Sequence, residues 1–124
     1  NQAGRHQNLL TQFSESMAAF NKELEAIGRD KDVLTLAFSE FGRRVRQNGS
    51  GGTDHGAAGP MFLMGPMVKP GLLGKHPSLT DLDRGDLKFN VDFRSIYSAV
   101  LENWMKLDSE PVFGQKFKLA NVLA

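Results

Sequence analysis

The chain of 124 residues is 40% hydrophobic and 23% charged, which suits one ordinary core and argues against wholesale disorder. Its 15 basic and 14 acidic residues leave a formal charge of +1, too balanced to argue a nucleic-acid or anionic-membrane partner from bulk electrostatics, so a ligand has to be read from a site. Cysteine is absent, which excludes disulfides and thiolate metal sites; no stretch approaches the roughly 20 apolar residues of a membrane span, and no basic start with an apolar core marks a signal peptide.

In chain order, Leu9, Phe13, Met17, Phe20, Leu24 and Ile27 recur every three or four residues, the period of one helix face, and Gly28 follows as a C-terminal stop. The spacing predicts an amphipathic helix with one face on a sheet; Met17 and the two Phe residues read as core, and His6 as a surface residue. After a polar connection, Val33–Phe38 is a nearly continuous apolar run that predicts a strand covered on both faces. Helix, short loop and buried strand in that order imply an αβ unit in a largely parallel sheet, where sites form beyond the carboxyl ends of strands.

Ser39, Glu40, Phe41, Gly42 and Arg43 occupy that position. Glu40 reads either as a metal ligand or acid/base group, or as a solvated carboxylate paired with Arg43 or Arg44. From Gln47 to Gly59 five glycines forbid regular structure and let the backbone approach a ligand closely, yet neither a phosphate-binding loop nor a dinucleotide fingerprint is present. Asp54 and His55 stand out there, because carboxylate oxygen and imidazole nitrogen are usual ligands of zinc, manganese or iron; the alternative is an Asp-stabilised turn with an exposed His.

Pro60–Gly65 predicts a second buried strand, with Met61 and Met64 as core. Pro66–Pro77 predicts a meandering connection with a short β-ribbon around Gly71–Gly74, in which His76 is either a further ligand or structural. Asp81, Asp83 and Asp86 resemble a calcium loop whose Gly and distant Glu are misplaced, so an acidic turn is expected. Asp92 is placed to cap a second amphipathic helix carrying Phe93, Ile96, Tyr97, Val100, Leu101 and Trp104 on its apolar face, with Arg94 set to meet an anion or Asp92. The tail from Glu110 to Ala124 shows scattered apolar residues and no catalytic pattern.

The succession SEFGRR, NGSGGTDHG, PMFLMG, GLLGKHPSL, DLDRGDLKFNVDFRSIY and VLENW resembles the C-terminal part of a bacterial family called domain of unknown function 1501, over nearly the whole chain. That family looks like a branch of the alkaline phosphatase and sulfatase superfamily. The resemblance implies an α/β fold, an alkaline phosphatase-like mixed or parallel sheet with flanking helices, of which residues 1–124 form one C-terminal segment lacking upstream strands. It further implies a divalent metal, whether zinc, manganese, calcium or magnesium, and a small-molecule or carbohydrate ester as substrate. The remainder of the parent chain is then a partner, and that parent is periplasmic or secreted.

Two alignments to the superfamily's metal motif follow from the resemblance. In one, GTDHG is the Asp-His-Gly motif, with Asp54 and His55 on one ion and His76 as the later His. In the preferred one, LTLAF ends in Ser39-Glu40-Phe41-Gly42, which places Glu40 at the carboxylate position and His55 as the later His, while Phe41 replaces a ligating His. The implied metal set is Glu40, Asp54, His55 and His76, with Arg43 as an oxyanion contact and the nucleophile upstream. The expected function is a metal-dependent phosphate or sulfate ester hydrolase carrying a half-site; the alternative is a non-catalytic exported binding or scaffold protein with a degraded site. A nucleic-acid module is disfavoured by the near-neutral charge.

Overall fold

The apolar spacing at the start of the chain produces a helix, α1, over Gln2–Ala26 in a computed structural model that describes residues 2–124. Gly28 stops it as expected: at a φ of 66° it takes the left-handed conformation, and its N–H donates to Glu25 O at 3.0 Å while that of Arg29 donates to Leu24 O at 2.8 Å. Two carbonyls that would otherwise lack partners are thereby satisfied.

The chain divides into two units, Asn1–Pro66 with Ser78–Lys88, and Met67–Pro77 with Phe89–Ala124. In the first, β1 (Thr35–Ala37) pairs antiparallel with β4 (Phe62–Met64), matching Thr35 to Met64 and Ala37 to Phe62. Nested between them is a hairpin of β2 (Gly42–Gln47) and β3 (Thr53–Gly56). A third pair, β5 (Leu82–Asp83) and β6 (Asp86–Leu87), turns tightly through Arg84 and Gly85, both at positive φ.

Helix and strand are therefore mixed, but the three sheets are two-stranded and antiparallel. The parallel arrangement expected from helix, loop and strand is not formed by these residues. The β2–β3 hairpin reverses the chain between β1 and β4, and a reversed strand can only return antiparallel. The glycine-rich segment also holds more order than its composition suggests, since Thr53–Gly56 is a strand. The ribbon expected around Gly71–Gly74 is an open loop, and the tight ribbon falls instead on the acidic turn at Asp83–Asp86.

One face of α1 is partly covered: Phe13, Met17, Asn21 and Leu24 are half-buried, and the Phe13 and Phe62 rings lie 5.5 Å apart. Leu9, Leu10, Phe20 and Ile27 stay exposed. A two-stranded ribbon is too narrow to cover a stripe of this length.

The second unit holds α2 (Phe93–Ala99), capped by Asp92, whose Oδ1 accepts from the Arg94 N–H at 2.9 Å. The chain continues into a π-helical turn over Val100–Trp104, closed by the Met105 N–H to Val100 O at 3.0 Å. A short helix, α3 (Glu110–Phe113), ends at Gly114 with a φ of 72°. The buried apolar residues among those described are Ile96, Ala99, Val122 and Leu123, all in this unit. The tail, whose scattered apolar residues carried no catalytic pattern, completes a core: Ala120 N–H donates to Ser95 O at 3.0 Å, and Leu123 bridges Val68.

Candidate functional site

The residues singled out at Glu40–Arg43 and Asp54–His55 meet on the β2–β3 hairpin. Gly42 and Gly56 sit opposite each other at its base, where the backbones approach so closely that a Cβ on Gly42 would lie 1.6 Å from Ala58 O. Arg43 is the cross-strand partner of His55. Cross-strand partners share a face and alternate residues return to it, so Phe41, Arg43 and His55 project together.

The contacts agree with that register. The His55 imidazole stacks on the Phe41 ring with centroids 3.5 Å apart and planes 18° from parallel. The Arg43 guanidinium carbon lies 5.3 Å from the centre of the same ring, and Nη1 donates to Thr53 O at 2.7 Å. One donor and the ring contact hold the guanidinium, and its other N–H groups form no further hydrogen bond among the described residues on this exposed surface.

Asp54, next to His55 on the strand, points to the opposite face, where Asn48 Nδ2 donates to its Oδ1 at 2.9 Å. The two residues read as a pair in the sequence are therefore separated by the pleat of the strand. Between Arg43 and Gln47 the register slips, and Arg44, Val45 and Arg46 stand opposite Asp54 alone. Glu40 lies exposed in the bend before β2 and pairs with neither Arg43 nor Arg44. Arg44 turns instead to Asp86, donating through Nε at 3.1 Å and Nη2 at 3.5 Å.

The glycine-rich tip is committed internally. Asn48 Oδ1 accepts from the Ser50 N–H, the Ser50 hydroxyl and the Gly52 N–H at 3.1, 2.8 and 3.1 Å. Backbone donors that could have cradled an anion are thus consumed by one side chain. His76 stands in the other unit, exposed, with Nδ1 within 2.8 Å of Pro77 O. Among the described residues no three His, Asp or Glu side chains are grouped so as to hold a metal ion. Within the first unit, Asp54 faces away from His55 across the strand, and the His55 ring is stacked on Phe41.

Sequence reasoning missed Asn48 and Thr53, which set the loop and Arg43. An Asn two residues before a Ser-Gly-Gly run was the signal for the first; a carbonyl contact such as Thr53 O has none. It also missed a polar cluster in the second unit. There the Ser109 hydroxyl, fully buried, donates to Glu102 Oε1 at 2.6 Å, and Lys116 bridges Glu102 and Asp108. The Ser109 hydroxyl and then Lys116 hold the Glu102 carboxyl below its ordinary range, Lys116 does the same to Asp108, and the two carboxylates raise the Lys116 ammonium. Arg94 lowers Asp92 by hydrogen bonding and lies with its guanidinium carbon 4.4 Å from the Phe117 ring centre. These networks tie the polar side chains of the unit to one another.

Residues 1–115 match the family model described as "Protein of unknown function (DUF1501)". No curated protein and no solved structure matches the chain.

Proposed function

The chain belongs to the DUF1501 family, and from that premise we propose that its β2–β3 hairpin is a non-catalytic binding surface for an anionic phosphate or sulfate ester. Arg43 carries the reading. It is exposed, held by Thr53 O and by the Phe41 ring, and keeps guanidinium donors to spare, which is the disposition that meets an oxyanion in two parallel hydrogen bonds. The Phe41–His55 stack beside it supplies a flat apolar wall for the body of such an ester. Kinship with the alkaline phosphatase and sulfatase superfamily, its larger sheet and export of the parent protein belong to this proposal and are consistent with it.

A second reading keeps the ester hydrolase, with a divalent metal completed by residues outside this chain. It is favoured by Glu40, whose exposed carboxylate has no partner among the described residues. The binding reading is preferred because Phe41 occupies and covers the ring face of His55.

Titrating 4-nitrophenyl phosphate and 4-nitrophenyl sulfate while following the amide resonances of residues 40–56 separates the two. Saturable shifts centred on Arg43, weakened roughly tenfold by Arg43→Ala, are expected, since a hydrogen bond to a charged group contributes about 1.5–3 kcal/mol. Release of nitrophenol by the chain would overturn the non-catalytic reading, and shifts unchanged by Arg43→Ala would remove Arg43 from the site.

A further inference from the structure

The loop joining Val68 to Pro77 in the second unit is fixed at both ends and apolar at its tip. At one end the Lys69 N–H donates to Val122 O at 2.9 Å and Val68 bridges Leu123, so the loop starts on two residues of the buried core. At the other, Asn90 grips Lys75 twice: its Oδ1 accepts from the Lys75 N–H at 3.0 Å and its Nδ2 donates to Lys75 O at 2.5 Å. Gly74, at a φ of 90°, passes so close that a Cβ there would lie 2.3 Å from Asn90 Oδ1 and 2.8 Å from Val91 Cγ2. Between these anchors Leu72 is wholly exposed, at 102% of its reference area, and Leu73 is 51% exposed.

Water solvates two adjacent leucines poorly, and the fold has buried other apolar residues of this unit while holding these out. The segment that carries them is basic: residues 67–77 contain Lys69, Lys75 and His76 and no Asp or Glu. The Lys69 ammonium meets only the neutral Asn121 Oδ1, at 2.5 Å, and neither lysine forms an ion pair among the described residues. An apolar tip flanked in sequence by two lysines that form no ion pair among the described residues is complementary to a bilayer interface, with leucines below the headgroups and lysines among anionic phosphates.

We infer that the Leu72–Leu73 tip is a peripheral contact for membranes containing anionic lipid. It is reversible, since two leucines and two lysines supply far less than an acyl anchor with a polybasic segment. It places no helix across the bilayer: among the described residues none is long and apolar enough to cross one.

Co-sedimentation of the 124-residue chain with phosphatidylcholine vesicles, with and without phosphatidylserine, tests this. The wild type is expected to partition onto the anionic vesicles and to lose that partition as salt is raised. Leu72→Ser combined with Leu73→Ser should lower it roughly tenfold, and Lys69→Gln combined with Lys75→Gln by a similar factor while flattening the salt dependence. Unchanged far-UV melting would attribute these losses to the tip. Because the chain has no cysteine, Leu72→Cys carrying an environment-sensitive dye gives a second readout: a blue shift with anionic vesicles alone supports the contact. Equal partition onto both vesicle types, no partition onto either, or insensitivity to the leucine substitutions would overturn it.

Discussion

The two units solve the problem of holding a chain together in different ways. In the second, Ile96, Ala99, Val122 and Leu123 are buried and the polar side chains around them are tied into Asp92–Arg94 and Glu102–Ser109–Lys116 networks. In the first, a helix of 25 residues and three two-stranded ribbons leave every large apolar side chain at least partly open, and order comes from hydrogen bonds and close glycine contacts. Burial is the larger source of stability and hydrogen bonding the more modest one. The stable framework and the candidate hairpin therefore reside in different units, and side chains such as Arg43 and His55 can be changed at little cost to the core.

The largest effect that sharpens this contrast is expected in the second unit. Ile96→Ala should cost about 2–5 kcal/mol by opening a cavity, whereas Leu9→Ala on exposed α1 should stay within about 0.5 kcal/mol. Urea unfolding of both variants checks the difference; equal losses would mean that α1 is covered in solution. Next comes Gly42→Ala, where the new methyl meets the Ala58 carbonyl. A loss of about 1–3 kcal/mol is expected there, read as faster amide exchange across residues 42–56, with residues 93–99 unaffected.

The smallest effect is a pH dependence confined to the second unit. Asp92, Glu102 and Asp108 have folded-state pKa values below their ordinary ones, so the unfolded chain binds more protons in that range. Their contribution is present above about pH 4, the unfolded carboxylate range, and is lost as pH falls through the lower folded values. Lys116 is raised, so its contribution is complete below its unfolded pKa and disappears as pH rises through the folded one. Exposure screens all of these, and added salt should shrink the effect. Urea midpoints of wild type and Lys116→Met across this pH range test it; a variant with the wild-type acid limb would break the assignment.

What the sequence revealed was whatever depends on near neighbours. The spacing from Leu9 to Ile27, the stop at Gly28 and the Asp92 cap are local, and α1, its C-terminus and the start of α2 follow them. The apolar runs at Val33–Phe38 and Pro60–Gly65 became β1 and β4, but neither is the buried strand expected. Both runs are only partly covered, with Phe38 and Phe62 exposed, because a two-stranded ribbon has too little neighbouring structure to cover both faces. Their pairing was not legible, because it depends on the reversal by β2 and β3, and β3 was hidden in a glycine-rich segment. The site was half legible for the same reason. Phe41, Arg43 and His55 were all noticed, but only the register puts them on one face and turns Asp54 to the other.

The central claim is that this face meets an anion through Arg43 and does not, by itself, make a metal centre. It is tested most directly by adding zinc to the isotope-labelled chain near neutral pH and following the imidazole resonances of His6, His55 and His76. The expected result is that His55 responds no more strongly than the other two. A selective, micromolar response of His55 that Glu40→Gln or Asp54→Asn removes would contradict it and restore the metal site.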